Sequence, residues 1–120
     1  MGGPENIRTR RIYDPPVPDE GERVLVMRLW PRGIARSKVD RWLRELASVL
    51  PLMRGYRSGT IPWVEYRPKY LAGLERAEAQ AHVEEILALA RRGPVTVLCG
   101  CPDLTRCHRS LLQQYLAERV

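Results

Sequence analysis

Five consecutive residues, Val95-Thr96-Val97-Leu98-Cys99, are almost wholly apolar and β-branched, and they follow the breaker pair Gly93-Pro94. Such a run has no polar face to turn to solvent, so it reads as a strand covered on both sides, as in the interior of a parallel sheet. Parallel strands need crossovers. A helical pattern follows at once, because Leu111, Leu112, Tyr115 and Leu116 recur at helical spacing from Ser110 onward. The polar residues 100–106 are then a strand-to-helix loop, and Cys107, His108 and Arg109 fall in or beside the first turn of the last helix. In open α/β folds ligands sit at that kind of junction.

The rest of the chain supplies the layers. Residues 7–13 read as a strand ended by Asp14-Pro15-Pro16, and residues 23–30 as a stronger one stopped by Pro31-Arg32-Gly33. Their pairing is left open, antiparallel or compactly turned. Ser37 with Asp40 suggests a capping box, and Val39, Trp42, Leu43, Leu46 and Leu50 give a helical stripe that Pro51 should end. Residues 52–61 read as a loop. Trp63, Tyr66, Tyr70, Leu71 and Leu74 suit a helix that Pro68 should kink or split, and a longer helix with Val83, Ile86, Leu87 and Ala90 on one face runs to about Arg92. The expectation is a single α/β domain over 1–120, with a small, mostly parallel sheet flanked by helices in a Rossmann-like layer arrangement and residues 1–6 a disordered tail.

Composition narrows the function classes. No apolar run reaches the length of a membrane span, and the N-terminal residues lack the apolar segment of a secretion signal, so a soluble, cytoplasmic protein with free thiols is expected. No membrane partner, cofactor or metal is expected. The net charge is +6, carried by 18 Arg against 2 Lys. Arg is the better fork donor to phosphate and carboxylate, which points to an anionic small molecule or to nucleic acid. The bland alternative is a compositional bias spread over a solvated surface. Nucleotide and zinc-protease templates are absent, because the chain has no G-x-G-x-x-G, no Walker loop and no H-E-x-x-H.

Several stretches resemble the DUF488 family in its short YeaO-like form. They are Arg11-Ile12-Tyr13-Asp14-Pro15-Pro16, Val24-Leu25-Val26-Met27-Arg28-Leu29-Trp30-Pro31-Arg32-Gly33, Trp63-x-Glu65-Tyr66-x-x-Lys69-Tyr70 and Gly93-Pro94-Val95-Thr96. The resemblance implies an α/β fold and no particular reaction. Longer members carry Cys-x-Glu at the end of the late strand and Cys-His-Arg at the start of the last helix, which Cys99 and Cys107-His108-Arg109 match. Cys101 departs, standing where those members have Glu. Between the helical regions, Met53, Gly55-Tyr56 and Ser58-Gly59 replace the family's Arg, Trp-Phe and His-Asp.

Four readings compete for the cysteine cluster. An anion site would use the amides of the last helix with Arg109 and Arg106, joined by Arg28 and Arg32 from beyond the second strand, around a pocket of Trp30, Cys99 and Asp14. Thiol catalysis would use Cys101 with Arg106 at the C-x4-R spacing of rhodanese-type loops, and Cys107, whose place by a helix start beside His108 and Arg106 should favour its thiolate. A metal site from Cys99, Cys101, Cys107 and His108 has suitable ligands but lacks the C-x2-C knuckle. The structural alternative is packing: Cys99 as a small strand residue, Cys107 under the helix, and Trp30 as a core aromatic. The leading expectation is a basic crevice acting on a phosphorylated or nucleotide-like small molecule. The runners-up are a nucleic-acid-binding module whose basic stripe adds Arg8, Arg10, Arg36 and Arg41, and a thiol-dependent sulfur or phosphoryl transferase.

Overall fold

The computed structural model describes residues 3–101 and 106–120. Four strands, β1 (Ile7–Arg11), β2 (Glu22–Leu25), β3 (Arg41–Trp42) and β4 (Val95–Cys99), form one all-parallel sheet in the order β1-β4-β2-β3. All five residues of β4 are buried, as an apolar run in the middle of a parallel sheet must be. β1 and β2 do not pair with each other. Each lies parallel to β4, with Ile7 and Glu22 both level with Val95; β1 ends with Arg11 level with Cys99, and β2 ends with Leu25 level with Leu98.

Residues 12–21 therefore cross β4 to join its two neighbours. The crossing is fixed by Thr96, whose hydroxyl donates to the Glu20 carbonyl at 2.8 Å, and by Gly21, whose φ of +70° brings it against the chain at Pro94. A Cβ on Gly21 would lie 2.0 Å from the Pro94 oxygen, so no other residue fits.

Four helices, α1 (Leu50–Arg57), α2 (Trp63–Gly73), α3 (Ala77–Ala90) and α4 (His108–Ala117), contribute to a core with Ile7, Val24, Val95 and Val97 on one face of the sheet. The opposite face carries Ile12, Leu25 and Leu98 under Met27, Trp30, Ile34, Val39 and Trp42, all from loops and the edge strand. The expected α/β class holds, and among the described residues the four α-helices share the core on one side of the sheet. Val83, Ile86, Leu87 and Ala90 are all buried, as their stripe indicated.

The helix expected over 37–50 does not form. Val39 and Trp42 pack on the loop-covered face, whereas Leu43 and Leu46 enter the helical core, so the stripe belongs to a segment rounding the sheet edge. Asp40 does not cap a helix. Its Oδ2 accepts the Arg23 amide at 2.8 Å, and its own amide donates to the Arg23 carbonyl at 2.9 Å. Pro51 begins α1 rather than ending a helix, because at the first turn its missing N–H would have had no helical partner. Residues 52–57 are thus helix, not loop. α2 continues through Pro68 unbroken. Nor are residues 3–6 a loose tail: Pro4–Asn6 make a 3-10 turn, and the Asn6 side-chain Nδ2 donates to the Ala90 carbonyl at 2.7 Å.

Candidate functional site

Beyond the ends of β1, β2 and β4 lies a cavity of about 330 Å³, which Tyr13, Met27 and Cys99 line at those three ends. Its walls come from Tyr13, from 27–29 after β2, from 47–48, from Met53, Tyr56 and Arg57 on α1, from Tyr66 on α2, and from 99–101 and 106–108. The wall at 46–48 is held by three side chains. Arg28 donates to the Ala47 and Ser48 carbonyls at 3.0 and 3.3 Å, Tyr70 donates to the Leu46 carbonyl at 2.6 Å, and Tyr66 donates to Ser48 Oγ at 3.1 Å.

Cys99, Cys107 and His108 meet at the cavity. Cys99 is the last residue of β4 and Cys107 the residue before α4, so the strand end and the helix start lie side by side at the cavity. The two Sγ atoms and a ring nitrogen of His108 all lie within 4.8 Å of one another, and His108 Nδ1 is 3.9 Å from Cys99 Sγ. His108 Nε2 is 2.5 Å from the Val26 carbonyl. A carbonyl only accepts, so Nε2 carries a proton and Nδ1 is the nitrogen turned to the sulfurs.

The electrostatics select one sulfur. The hydrogen bond from the Cys107 thiol holds Cys99 far below the ordinary thiol range despite its burial, and the charge of His108 adds to the effect. Cys107 is pushed up by that same hydrogen bond and by burial. The pair therefore shares one proton and one negative charge, with the charge on Cys99. Burial alone would lower the His108 value, but the Cys99 charge outweighs it and the net shift is upward. The expectation of a Cys107 thiolate is thus reversed. The partner that decides the matter is the β4 cysteine, which sequence alone assigns to packing.

Other expected residues are dispersed. Arg28 lines the cavity with its guanidinium committed to the 47–48 carbonyls. Arg106 is exposed and lines the cavity, and Cys101 is half-buried in its wall. The interior of the C-x4-R loop, residues 102–105, lies outside the described residues. Arg109 is 2% exposed and is not part of the cavity wall; its Nη2 donates to the Cys101 carbonyl at 3.2 Å, so it holds the backbone just beyond β4. Arg32 is exposed and outside the cavity, meeting it only through its carbonyl, which accepts from the Tyr13 hydroxyl at 3.3 Å. Trp30 belongs to the opposite face, edge-on to Trp42 at 5.2 Å with its indole N–H on the Ile34 carbonyl. Asp14 is exposed in the turn after β1 and does not reach the cavity. Sequence alone does not single out Met53, Tyr56 and Arg57 for the site, because their segment carries the glycine and serine signals of a loop.

Cys99, Cys107 and His108 also offer three ligands of the kind zinc takes, and the Val26 carbonyl would fix the histidine in the needed tautomer. Cys101 is not among them, unlike the four-residue set considered from sequence.

Tyr66 and Tyr70 are held above the ordinary tyrosine value, chiefly by burial. An acid raised in the native state contributes stability that fades as pH climbs past its unfolded value, about 10 for tyrosine. Stability should therefore fall steeply above that pH, with tyrosinate absorbance from these two residues appearing only as helicity is lost. Full ionisation of all five tyrosines with unchanged circular dichroism would contradict this.

Among the described residues, no helix is long and apolar enough to cross a membrane. No solved structure matches the chain. Its sequence is similar to the "Uncharacterized protein YeaO" of Escherichia coli, at 31% identity over 113 residues covering 92% of this chain and 96% of that one. It is also similar to the "Uncharacterized protein Rv3073c" of Mycobacterium tuberculosis, at 31% identity over 115 residues covering 94% and 95%. The family model described as DUF488-N3a, "Active DUF488-N3 subclade", matches residues 7–120, and the chain belongs to that family.

Proposed function

We propose that the protein is an enzyme that carries out thiol-dependent group transfer on an anionic small molecule, phosphorylated or nucleotide-like, held in the cavity at the strand ends. The observation that carries this reading is the joining of Cys99, Cys107 and His108 to one cavity whose wall also includes the exposed Arg57 and Arg106. The volume of about 330 Å³ is at the small end of ligand pockets. Tyr13, Tyr56, Tyr66, Met27 and Met53 give it flat and soft walls. In the transfer, Cys99 Sγ attacks the electrophilic centre and forms the new bond. The leaving group departs with its electron pair and takes the proton from His108 Nδ1, while Cys107 keeps its own.

The wider basic surface supports a small ligand more than nucleic acid. Arg8 faces Asp19 at 3.4 Å, Arg10 faces Glu20 at 2.8 Å, and Arg41 lies between Glu22 and Glu85 at 3.1 and 2.7 Å. Those cations already meet carboxylates, which would have to be displaced by phosphate.

Paired alkylating reagents test the reading. Iodoacetate and iodoacetamide differ in charge, so the arginines at the cavity should favour the anion at Cys99 relative to a free cysteine. Replacing Arg57 and Arg106 together by alanine should remove about a tenfold preference, the size of one charge-assisted contact. Nucleoside phosphates should protect Cys99 in the wild type. Equal rates for the two reagents together with no protection at millimolar nucleotide would refute the proposal.

A further inference from the structure

Cys107 has no bond-forming role in the transfer just described, yet its sulfur lies within 4.8 Å of Cys99 Sγ and faces the same cavity. We propose that Cys99 and Cys107 are a redox pair that closes to a reversible disulfide when a peroxide enters the cavity. The inference uses the nucleophile assigned above but not its substrate.

Three observations favour this pair over any involving Cys101. The Sγ atoms of Cys99 and Cys107 lie within 4.8 Å of each other, and both residues are buried, 4% and 3% exposed, where a sulfenic acid is shielded from bulk water. They sit on the end of a strand and immediately before a helix, with the two sulfurs already close, so closing the bond asks for side-chain rotation and a small approach rather than a new fold. Cys101 is half-buried in the wall, and its carbonyl is held by Arg109.

The chemistry balances. The Cys99 thiolate attacks one peroxide oxygen; the S–O bond forms, the O–O bond breaks, and the departing hydroxide takes the His108 proton to leave as water. Cys107 sulfur then attacks Cys99 Sγ; the S–S bond forms, the S–O bond breaks, and the Cys107 proton goes with the hydroxide as a second water. The two thiols lose two electrons and the peroxide gains them.

The experiment treats full-length wild type, Cys101→Ser, Cys107→Ser and Cys99→Ser with one equivalent of hydrogen peroxide, followed by intact mass, peptide mapping and dimedone trapping. Wild type and Cys101→Ser should lose the mass of two hydrogen atoms, show a 99–107 cross-link, and recover both thiols with dithiothreitol. Cys107→Ser should stop one oxygen heavier, as a dimedone-reactive Cys99, and Cys99→Ser should consume peroxide at least about tenfold more slowly. A cross-link that includes Cys101, no cross-link in Cys101→Ser, or stoichiometric zinc in the purified protein with both thiols intact after peroxide would overturn the inference. A 99–107 cross-link without nucleotide protection would leave it standing while the function proposed above fails.

Discussion

Replacing Glu20 by glutamine is expected to lower stability by about 3 kcal/mol, the range for removing one partner of a buried charge cluster. Glu20 is 3% exposed and sits where residues 12–21 cross β4. One carboxylate oxygen is bound by Arg23, and the other is 2.8 Å from Arg10 Nε in a contact too bent to be a good hydrogen bond. Glutamine keeps the shape but leaves two guanidinium groups facing each other with no charge between them. Arg23 is only 13% exposed at its side chain, so water cannot take over the role of the carboxylate. Thermal unfolding should show a drop of roughly 10 °C for a domain of this size. Asp19→Asn is the control: Asp19 is 78% exposed opposite Arg8, and its loss should stay within about 0.5 kcal/mol. Equal melting temperatures for Glu20→Gln and wild type would show that the crossing is held by backbone bonds and packing alone.

The elements that were legible in the sequence are those whose pattern serves one surface. Val95–Cys99 is buried on both faces, and Val83, Ile86, Leu87 and Ala90 all enter one core, so a local reading suffices. The segment 37–50 failed because its apolar residues alternate between two cores, Val39 and Trp42 on one side of the sheet and Leu43 and Leu46 on the other, in a spacing that imitates a helix. Pro51 signals a stop to a helix before it and a start to one after it, so the false stripe also conceals α1 with Tyr56 and Arg57. The pairing of β1 and β2 was not legible because β4 comes between them only in space. At the site, Cys107 and His108 stood out as polar residues at a helix start, but the role of Cys99 needs the strand end beside the helix start. Arg109 carried a signal that could have been read: it shares its helical stripe with Leu112 and Leu116, three and seven residues on, and that stripe is the buried one.

Cys99 should remain almost as reactive toward iodoacetamide at pH 6 as at pH 8, in a Cys101→Ser background that removes the half-buried thiol. An ordinary thiol with a pKa near 8.5 loses nearly a hundredfold of its thiolate over that interval. Cys99 is held below the ordinary range by the Cys107 hydrogen bond and the His108 charge, so its thiolate persists as pH falls and its rate should change less than about threefold. The two causes are separable. His108→Ala removes a cation 3.9 Å from the sulfur, an interaction large enough in a partly buried site to shift the thiol by about a unit or more, so the fall of the alkylation rate on acidification should begin at a correspondingly higher pH than in the wild type. Cys107→Ala removes the hydrogen bond and should act in the same direction, whereas Cys107→Ser keeps a donor and should restore much of the rate. If the cluster is only packing, all of these variants follow the pH profile of a free thiol. A wild-type rate that climbs a hundredfold from pH 6 to pH 8 would remove the thiolate, and with it the nucleophile on which the group-transfer reading depends.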